Sequence, residues 1–183
     1  MKLGVEYGKV SLAPHDENWK VIAGETIGKL REILGDTAIS IQHVGSTSIL
    51  GIPAKPIIDI AVGVADPKCV YQFEEPLLKA EIHIVGELVP GQIMCDIKTP
   101  EGLEGQHIHF VTYDCQAWKE YIRFRDYLNA VPEQAKRYAD LKLELVRKYA
   151  DDRKSYTGGK AELITELLKR AAEWSEAKDG SDE

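Results

Sequence analysis

His43-Val44-Gly45-Ser46-Thr47-Ser48-Ile49-Leu50-Gly51-Ile52-Pro53-Ala54-Lys55-Pro56-Ile57-Ile58-Asp59-Ile60-Ala61-Val62-Gly63-Val64 decides how this chain is read. A short apolar strand ends at Gly45-Ser46, and a polar turn broken by glycine and proline follows. A β-branched strand then holds one acid, Asp59, among aliphatic neighbours. A carboxylate in such a strand is costly to bury without a partner. A Gly-Ser turn presents backbone N–H groups and a hydroxyl of the kind that cradle phosphate. The pair predicts a nucleotide site, with Gly45-Ser46 on phosphate and Asp59 on a metal ion.

Working outward, Pro14 and Asp16 introduce a helix over 17–34, with Asp16 as its N-cap. Its apolar residues Trp19, Ile22, Ala23, Ile27, Leu30 and Leu34 fall at helical spacing. Gly35-Asp36 ends it, and strands are expected at 38–44 and 57–64. Asp66-Pro67 opens a helix to about Ala80. Three strands follow at 82–88, 92–98 and 107–113, separated by Pro90-Gly91 and by residues 99–105. Beyond Cys115 the chain turns helical over 116–129, 132–149 and 159–174. This order predicts an α/β (α+β) fold, a mixed β-sheet core flanked by helices with a helical C-terminal extension. One domain is expected over 1–174, with a disordered acidic tail at 175–183.

The net charge of −7 over 183 residues argues against sequence-independent nucleic-acid binding, which needs a basic face. Much of that charge sits at the end, where Glu173, Glu176, Asp179, Asp182 and Glu183 oppose only Lys178. Cys69, Cys95 and Cys115 are odd in number and form no Cys-x-x-Cys pair, which fits reduced thiols in a cytoplasmic protein. No stretch approaches a membrane span, and the first twenty residues lack a signal-peptide core.

The three C-terminal helices each place one basic residue in an otherwise apolar stripe: Arg125, Lys142 and Lys160. Tyr138/Lys142 and Tyr156/Lys160 are i,i+4 pairs, so each tyrosine and lysine share a face. Three cations directed inward would suit a polyphosphate. Snorkelling to solvent, or pairing with Asp126 or Asp140, are the alternatives.

In a two-metal phosphoryl-transfer site, two or three carboxylates hold the ions. Here the residue two after Asp59 is Ala61, and Asp96 on a later strand is the acid left to supply a second metal ligand. His107 and His109 share one face of their strand. A His-x-His pair can bind a metal. With no third ligand at diagnostic spacing, the pair is read instead as contacting phosphate or positioning a reacting group.

With these residues on the page, the chain resembles the GrpB family within the nucleotidyltransferase superfamily. The resemblance is carried by Val44-Gly45-Ser46-Thr47-Ser48 with Gly51, and by Ala54-Lys55-Pro56-Ile57-Ile58-Asp59-Ile60. It continues in His107-Ile108-His109-Phe110, in Phe124-Arg125-Asp126-Tyr127-Leu128, and in Tyr138, Leu141-Lys142, Tyr156 and Lys160. It runs from about Val10 to Ala172 and implies a nucleotidyltransferase-type core.

By resemblance, Gly45 and Ser46 would contact the nucleotide phosphates, and Thr47, Lys55, Arg125, Tyr138, Lys142, Tyr156 and Lys160 are expected to line the same site. Asp59, with His107 and His109, would carry the chemistry, and Mg2+ would be the ion. The activity so implied is transfer of a nucleotidyl group from a nucleoside triphosphate to a small-molecule acceptor. The alternative is a binding module of the same fold that holds a nucleotide or phosphometabolite without turning it over. Ala61, in place of the paired acid, is what keeps that alternative open.

Overall fold

The computed structural model describes residues 3–179. Its elements in chain order are α1 (Asn18–Leu34), β1 (Ser40–Val44), β2 (Ile58–Val64), α2 (Glu74–Lys79), β3 (His83–Val89), β4 (Gln92–Lys98) and β5 (Glu104–Thr112). Four helices complete the chain: α3 (Gln116–Ala130), α4 (Pro132–Lys148), α5 (Arg153–Gly159) and α6 (Ala161–Asp179). The five strands form one mixed sheet in the order β1-β2-β5-β4-β3, with helices on its flanks and a helical C-terminal portion. The β2–β5 pairing is parallel and the other three are antiparallel.

Alternation along β2 and β5 gives the sheet two unlike faces. Ile58, Ile60, Val62 and Val64, with Ile108 and Phe110, are fully buried against Trp19, Ala23, Leu30, Leu34 and Leu77 of α1 and α2. Burial of each such aliphatic side chain is worth about 1.5–3 kcal/mol. A one-residue slip of β2 would turn Asp59 into this layer and Ile60 out of it, so the apolar face fixes the register. The same register puts Asp59 on the opposite face, level with His107 on β5.

That opposite face is covered by α3 at one end only. Trp118, with Tyr121 and Ile122 beside it, packs over Val44, Ala61 and Val111. The α3–α4–α6 layer has its own core, in which Tyr127, Leu128, Tyr138, Ala139, Leu167 and Ala171 enclose Ile49 and Ile52 of the segment after β1.

Several boundaries differ from expectation, each for a local reason. Asp66 accepts from Lys68 N as an N-cap at 2.9 Å, but the segment after it is a 3-10 helix, Pro67–Phe73, before α2. Pro76 lacks the N–H that one continuous α-helix would use. Strand β5 begins three residues early, at Glu104, because Gly105 is taken up as a bulge between the Lys98–Glu104 and Ile97–Gln106 pairings instead of breaking the strand. Gly158-Gly159 ends a separate helix, α5, where a helix entry was expected. Helix α6 runs on to Asp179, five residues beyond the expected end at Trp174. The rest of the expected tail, residues 180–183, lies outside the described residues. All three cysteines are free thiols. Among the described residues no helix is long and apolar enough to cross a membrane.

Candidate functional site

The site is built where β1, β2 and β5 meet the C-terminal helices. Gly45 follows β1 at φ +70°, a conformation that L side chains rarely adopt. A Cβ there would fall on the Asp59 side chain, 2.8 Å from its Cβ, so only glycine lets this backbone pass over the carboxylate. Residues Ser46–Ser48 form a single 3-10 turn, closed by Ser48 Oγ donating to Gly45 O at 2.6 Å. Asn129 of α3 ties the turn down. Its Oδ1 accepts from Leu50 N at 2.9 Å, and its Nδ2 donates to Ser48 O at 3.0 Å.

Beside this turn is a cavity of about 290 Å³ lined by Ser46, Lys55, Ile57, Asp59, His107, Lys142, Arg153, Tyr156, Thr157 and Lys160. Four cations thus converge on one space. Lys142 Nζ is inside the protein, with only 1% of the residue exposed. It donates to Pro53 O at 2.6 Å and lies 4.6 Å from the Tyr138 ring centre. Lys160 Nζ lies 4.5 Å from the Tyr156 ring centre. Burial, with Lys160 adding like-charge repulsion, pushes Lys142 down to about 7. Burial first, then Lys55, lowers Lys160 to about 8. Lys55 is lowered too, by burial and by the nearby Arg153. Among the described residues Asp59 is the one acid in the lining, and of the four cations Arg153 is paired with Glu104 outside it.

At the cavity floor Asp59 faces two imidazoles. His107 Nδ1 is 3.6 Å and His109 Nε2 is 3.5 Å from Asp59 Oδ1. Burial alone would raise the Asp59 carboxyl, but the two imidazoles outweigh it and hold the group well below the usual carboxylate range. One ligand atom from each of the three residues lies within 4.8 Å of the other two. Behind His107, Glu104 Oε1 is 3.8 Å from Nε2, and Glu104 Oε2 accepts from Arg153 Nη1 at 2.5 Å.

A second cavity, of about 260 Å³, lies on the other side of Gly45 and is mostly apolar, with Tyr121, Phe124, Ile164 and Leu168 on its walls. Tyr121 lines this second cavity. Its ring is 5.4 Å from that of His109, and its hydroxyl donates to Gln92 Oε1 at 3.0 Å.

Of the residues expected here, Ser46, Lys55, Asp59, His107, Lys142, Tyr156 and Lys160 line the first cavity. Gly45 borders the second, and Tyr138 joins the first through its hydroxyl, 3.4 Å from Ser46 Oγ. His109 reaches it through Asp59.

Three expected residues stand elsewhere. Thr47 is 2% exposed, and its hydroxyl is paired with His43 Nε2 at 3.0 Å instead of facing the cavity. Arg125 is directed inward as expected but is engaged structurally. It donates to Asp126 Oδ1 at 2.7 Å, and to Gln42 Oε1 and His43 O at 3.0 Å, pinning α3 to β1. Asp96 sits opposite His107 on β4, yet it falls outside the close Asp59–His107–His109 group.

Sequence reading missed Arg153 and Glu104. Asp152 caps α5 by accepting from Ser155 N at 3.0 Å, an Asp-x-x-Ser pattern that would have revealed that helix and Arg153 at its start. It also missed that the third partner of His-x-His comes from the adjoining strand.

Comparison with known proteins agrees with this architecture. A model of the GrpB protein family matches residues 9–170. The chain is 42% identical over 170 residues to the glutamate-rich protein GrpB of Alkalihalophilus pseudofirmus, covering 91% of this chain and 98% of that one. The crystal structure of the conserved protein GrpB from Enterococcus faecalis aligns with a TM-score of 0.83 at 26% identity, over 90% of this chain and 99% of that one. The Cid1 poly(U) polymerase aligns over 82% of this chain and 49% of its own at 16% identity, with a TM-score of 0.47. A family match spanning nearly the whole described chain, with a relative aligned over nearly all of its own length, settles kinship: the chain belongs to the GrpB protein family.

Proposed function

We propose that the cavity binds the polyphosphate of a nucleoside triphosphate and that the protein transfers a nucleotidyl group to a small-molecule acceptor. The observation that carries this reading is the convergence of Lys55, Lys142, Arg153 and Lys160 on one space beside the Gly45-Ser46 turn, with Asp59 at its floor. Buried cations of depressed basicity are unfavourable in the empty protein and gain most when an anion arrives.

In the proposed reaction, an acceptor oxygen or nitrogen attacks the α-phosphorus while the bond to the bridging oxygen breaks and pyrophosphate leaves. Charge accumulating on the departing oxygens is met by Lys142 and Lys160, which are fixed before the reaction begins. Ser46 Oγ and the adjoining turn hold the phosphates. The acceptor's body rests in the apolar cavity lined by Tyr121 and Phe124, which Gly45 borders, while Asp59 and His107 line the polyphosphate cavity.

Nucleotidyl transfer ordinarily calls for Mg2+, and the residues here fit it poorly. Mg2+ favours oxygen ligands at near-octahedral geometry. The close group offers one carboxylate and two imidazole nitrogens, and Ala61 is buried under Trp118, where a second acid would have stood. No step above is assigned to that ion.

Pyrophosphate release from ATP, measured across a panel of phosphorylated and amine-bearing metabolites, tests the proposal. Release that depends on acceptor and is lost in Lys160→Met supports it. Tight ATP binding with no release for any acceptor would favour the second reading, a binding module, for which the buried Ala61 is the supporting observation. Absence of any ATP binding removes the transferase reading and leaves of the second only a module for a phosphorylated metabolite.

A further inference from the structure

We infer that Asp59, His107 and His109 form a binding site for a borderline divalent transition ion, such as Zn2+ or Co2+, in preference to Mg2+. The inference deepens the proposed function by giving the two imidazoles the role of ligands, but the binding itself does not depend on any nucleotide chemistry.

Three observations carry it. First, the donor set is two nitrogens and one carboxylate oxygen, a combination suited to zinc and its neighbours and unlike the all-oxygen shells of magnesium. Second, the spacing suits an ion. The Asp59 oxygen is 3.6 Å and 3.5 Å from the two ring nitrogens, at or beyond the usual limit of a hydrogen bond. Ligands about 2.0–2.1 Å from a common centre lie roughly 3.4 Å apart in a tetrahedron but only about 2.9 Å apart in an octahedron. The two Asp59–imidazole separations lie near the tetrahedral edge, and the two imidazole nitrogens are within 4.8 Å of each other.

Third, His107 has a carboxylate near its far ring nitrogen, at 3.8 Å, longer than a hydrogen bond but where one would form on a small ring rotation. Its Nδ1 faces Asp59, and its Nε2 faces Glu104, whose other oxygen accepts from Arg153. A carboxylate behind the far ring nitrogen orients a ligand histidine and strengthens it as a donor. The strands supply the rest of the rigidity: Asp59 is level with His107, and Ala61 with His109, across the parallel β2–β5 pairing. Ala61 presents only a methyl group there, which leaves His109 free to reach back toward Asp59. The partly exposed Asp59 side chain opens on the cavity, so one position at the ion would remain for a ligand oxygen.

The experiment is a titration of chelator-treated full-length protein with Co2+, followed by visible absorption, with Zn2+ and Mg2+ as competitors. The expected result is one Co2+ per chain with the intense bands of four- or five-coordinate cobalt. Zn2+ should remove those bands, and a large excess of Mg2+ should leave them in place. His109→Asn should weaken Co2+ binding about 10–100-fold. Glu104→Gln, which leaves all three ligands intact, should weaken it about tenfold. Circular dichroism checks that each variant remains folded, and the wild-type spectrum stands without them.

The inference is overturned if cobalt shows only the faint bands of the hydrated ion, if Mg2+ displaces it, or if a folded His109→Asn binds as wild type does. The two proposals fail separately. Acceptor-dependent pyrophosphate release without the cobalt bands would defeat the metal site alone. Cobalt bands without ATP binding would defeat the nucleotide reading alone.

Discussion

The two faces of β2 and β5 come from one alternating sequence and are held by opposite means. On one, Ile58, Ile60, Val62, Ile108 and Phe110 interlock with α1 and α2 and contain no titratable group. On the other, Asp59, His107 and His109 meet one another and then open on a cavity walled by lysines of the C-terminal helices. Close packing makes the first face intolerant of any lost volume. The second face gives up stability where cations are buried near one another, and that cost makes it receptive to an anion. The sheet thus acts as a rigid back against which a strained electrostatic site is mounted.

Phe110→Ala should produce the largest change. It opens a cavity in the packed face and should cost about 3–5 kcal/mol, read as a lower denaturant midpoint with little change in slope. A much smaller loss would mean that the packed face is not the rigid element. Ala61→Asp should cost about 1–3 kcal/mol, because a carboxylate there would be taken out of water beneath Trp118, with the His109 imidazole level with it across the strands. If this variant were as stable as the wild type, the two-acid arrangement would be compatible with the fold and the contrast would blur.

Lys142→Met has the opposite sign. Removing a buried cation should stabilise the empty protein by about 1–3 kcal/mol at pH 6, while weakening anion binding. The folded-state value for Lys142 lies near 7, below the ordinary 10.5, so the folded protein binds fewer protons than the unfolded chain between those limits. Stability of the wild type therefore rises with pH across that window, and the advantage of Lys142→Met should shrink as pH rises from 7 towards 10. Melting temperatures of both proteins at pH 6 and pH 9 check this. An advantage that grows with pH would mean that the fold holds Lys142 charged, above the ordinary lysine range.

Much of the fold was legible because it rests on local signals. Alternation around Asp59 gave β2 and its two faces, and helical spacing gave α1, α3 and α4 close to their observed limits. The site was legible where a residue violated its surroundings, as Asp59, Lys142 and Lys160 do. What was missed depends on pairing between distant segments. His107 and His109 lacked a third partner only until β2 was laid parallel to β5, which no spacing in the chain discloses. Arg125 drew attention for the same reason as Lys142, an inward charge. Its role was decided by Gln42, Asp126 and the His43 carbonyl, which only the packing of α3 on β1 brings together. Thr47 was carried along with Ser46 by adjacency, although a 3-10 turn directs neighbouring side chains apart.

The contrast between Lys160 and Arg125, two inward cations with different surroundings, gives the most direct test of the account. Calorimetric titration of ATP and of tripolyphosphate into wild type, Lys160→Met and Arg125→Met would make it. Loss of a charge-assisted contact of about 1.5–3 kcal/mol in Lys160→Met should weaken binding tenfold or more, while Arg125→Met stays within about a factor of two of wild type. Equal losses in both variants, or wild-type affinity in Lys160→Met, would contradict the claim that the cavity walled by the C-terminal helices is the polyphosphate site.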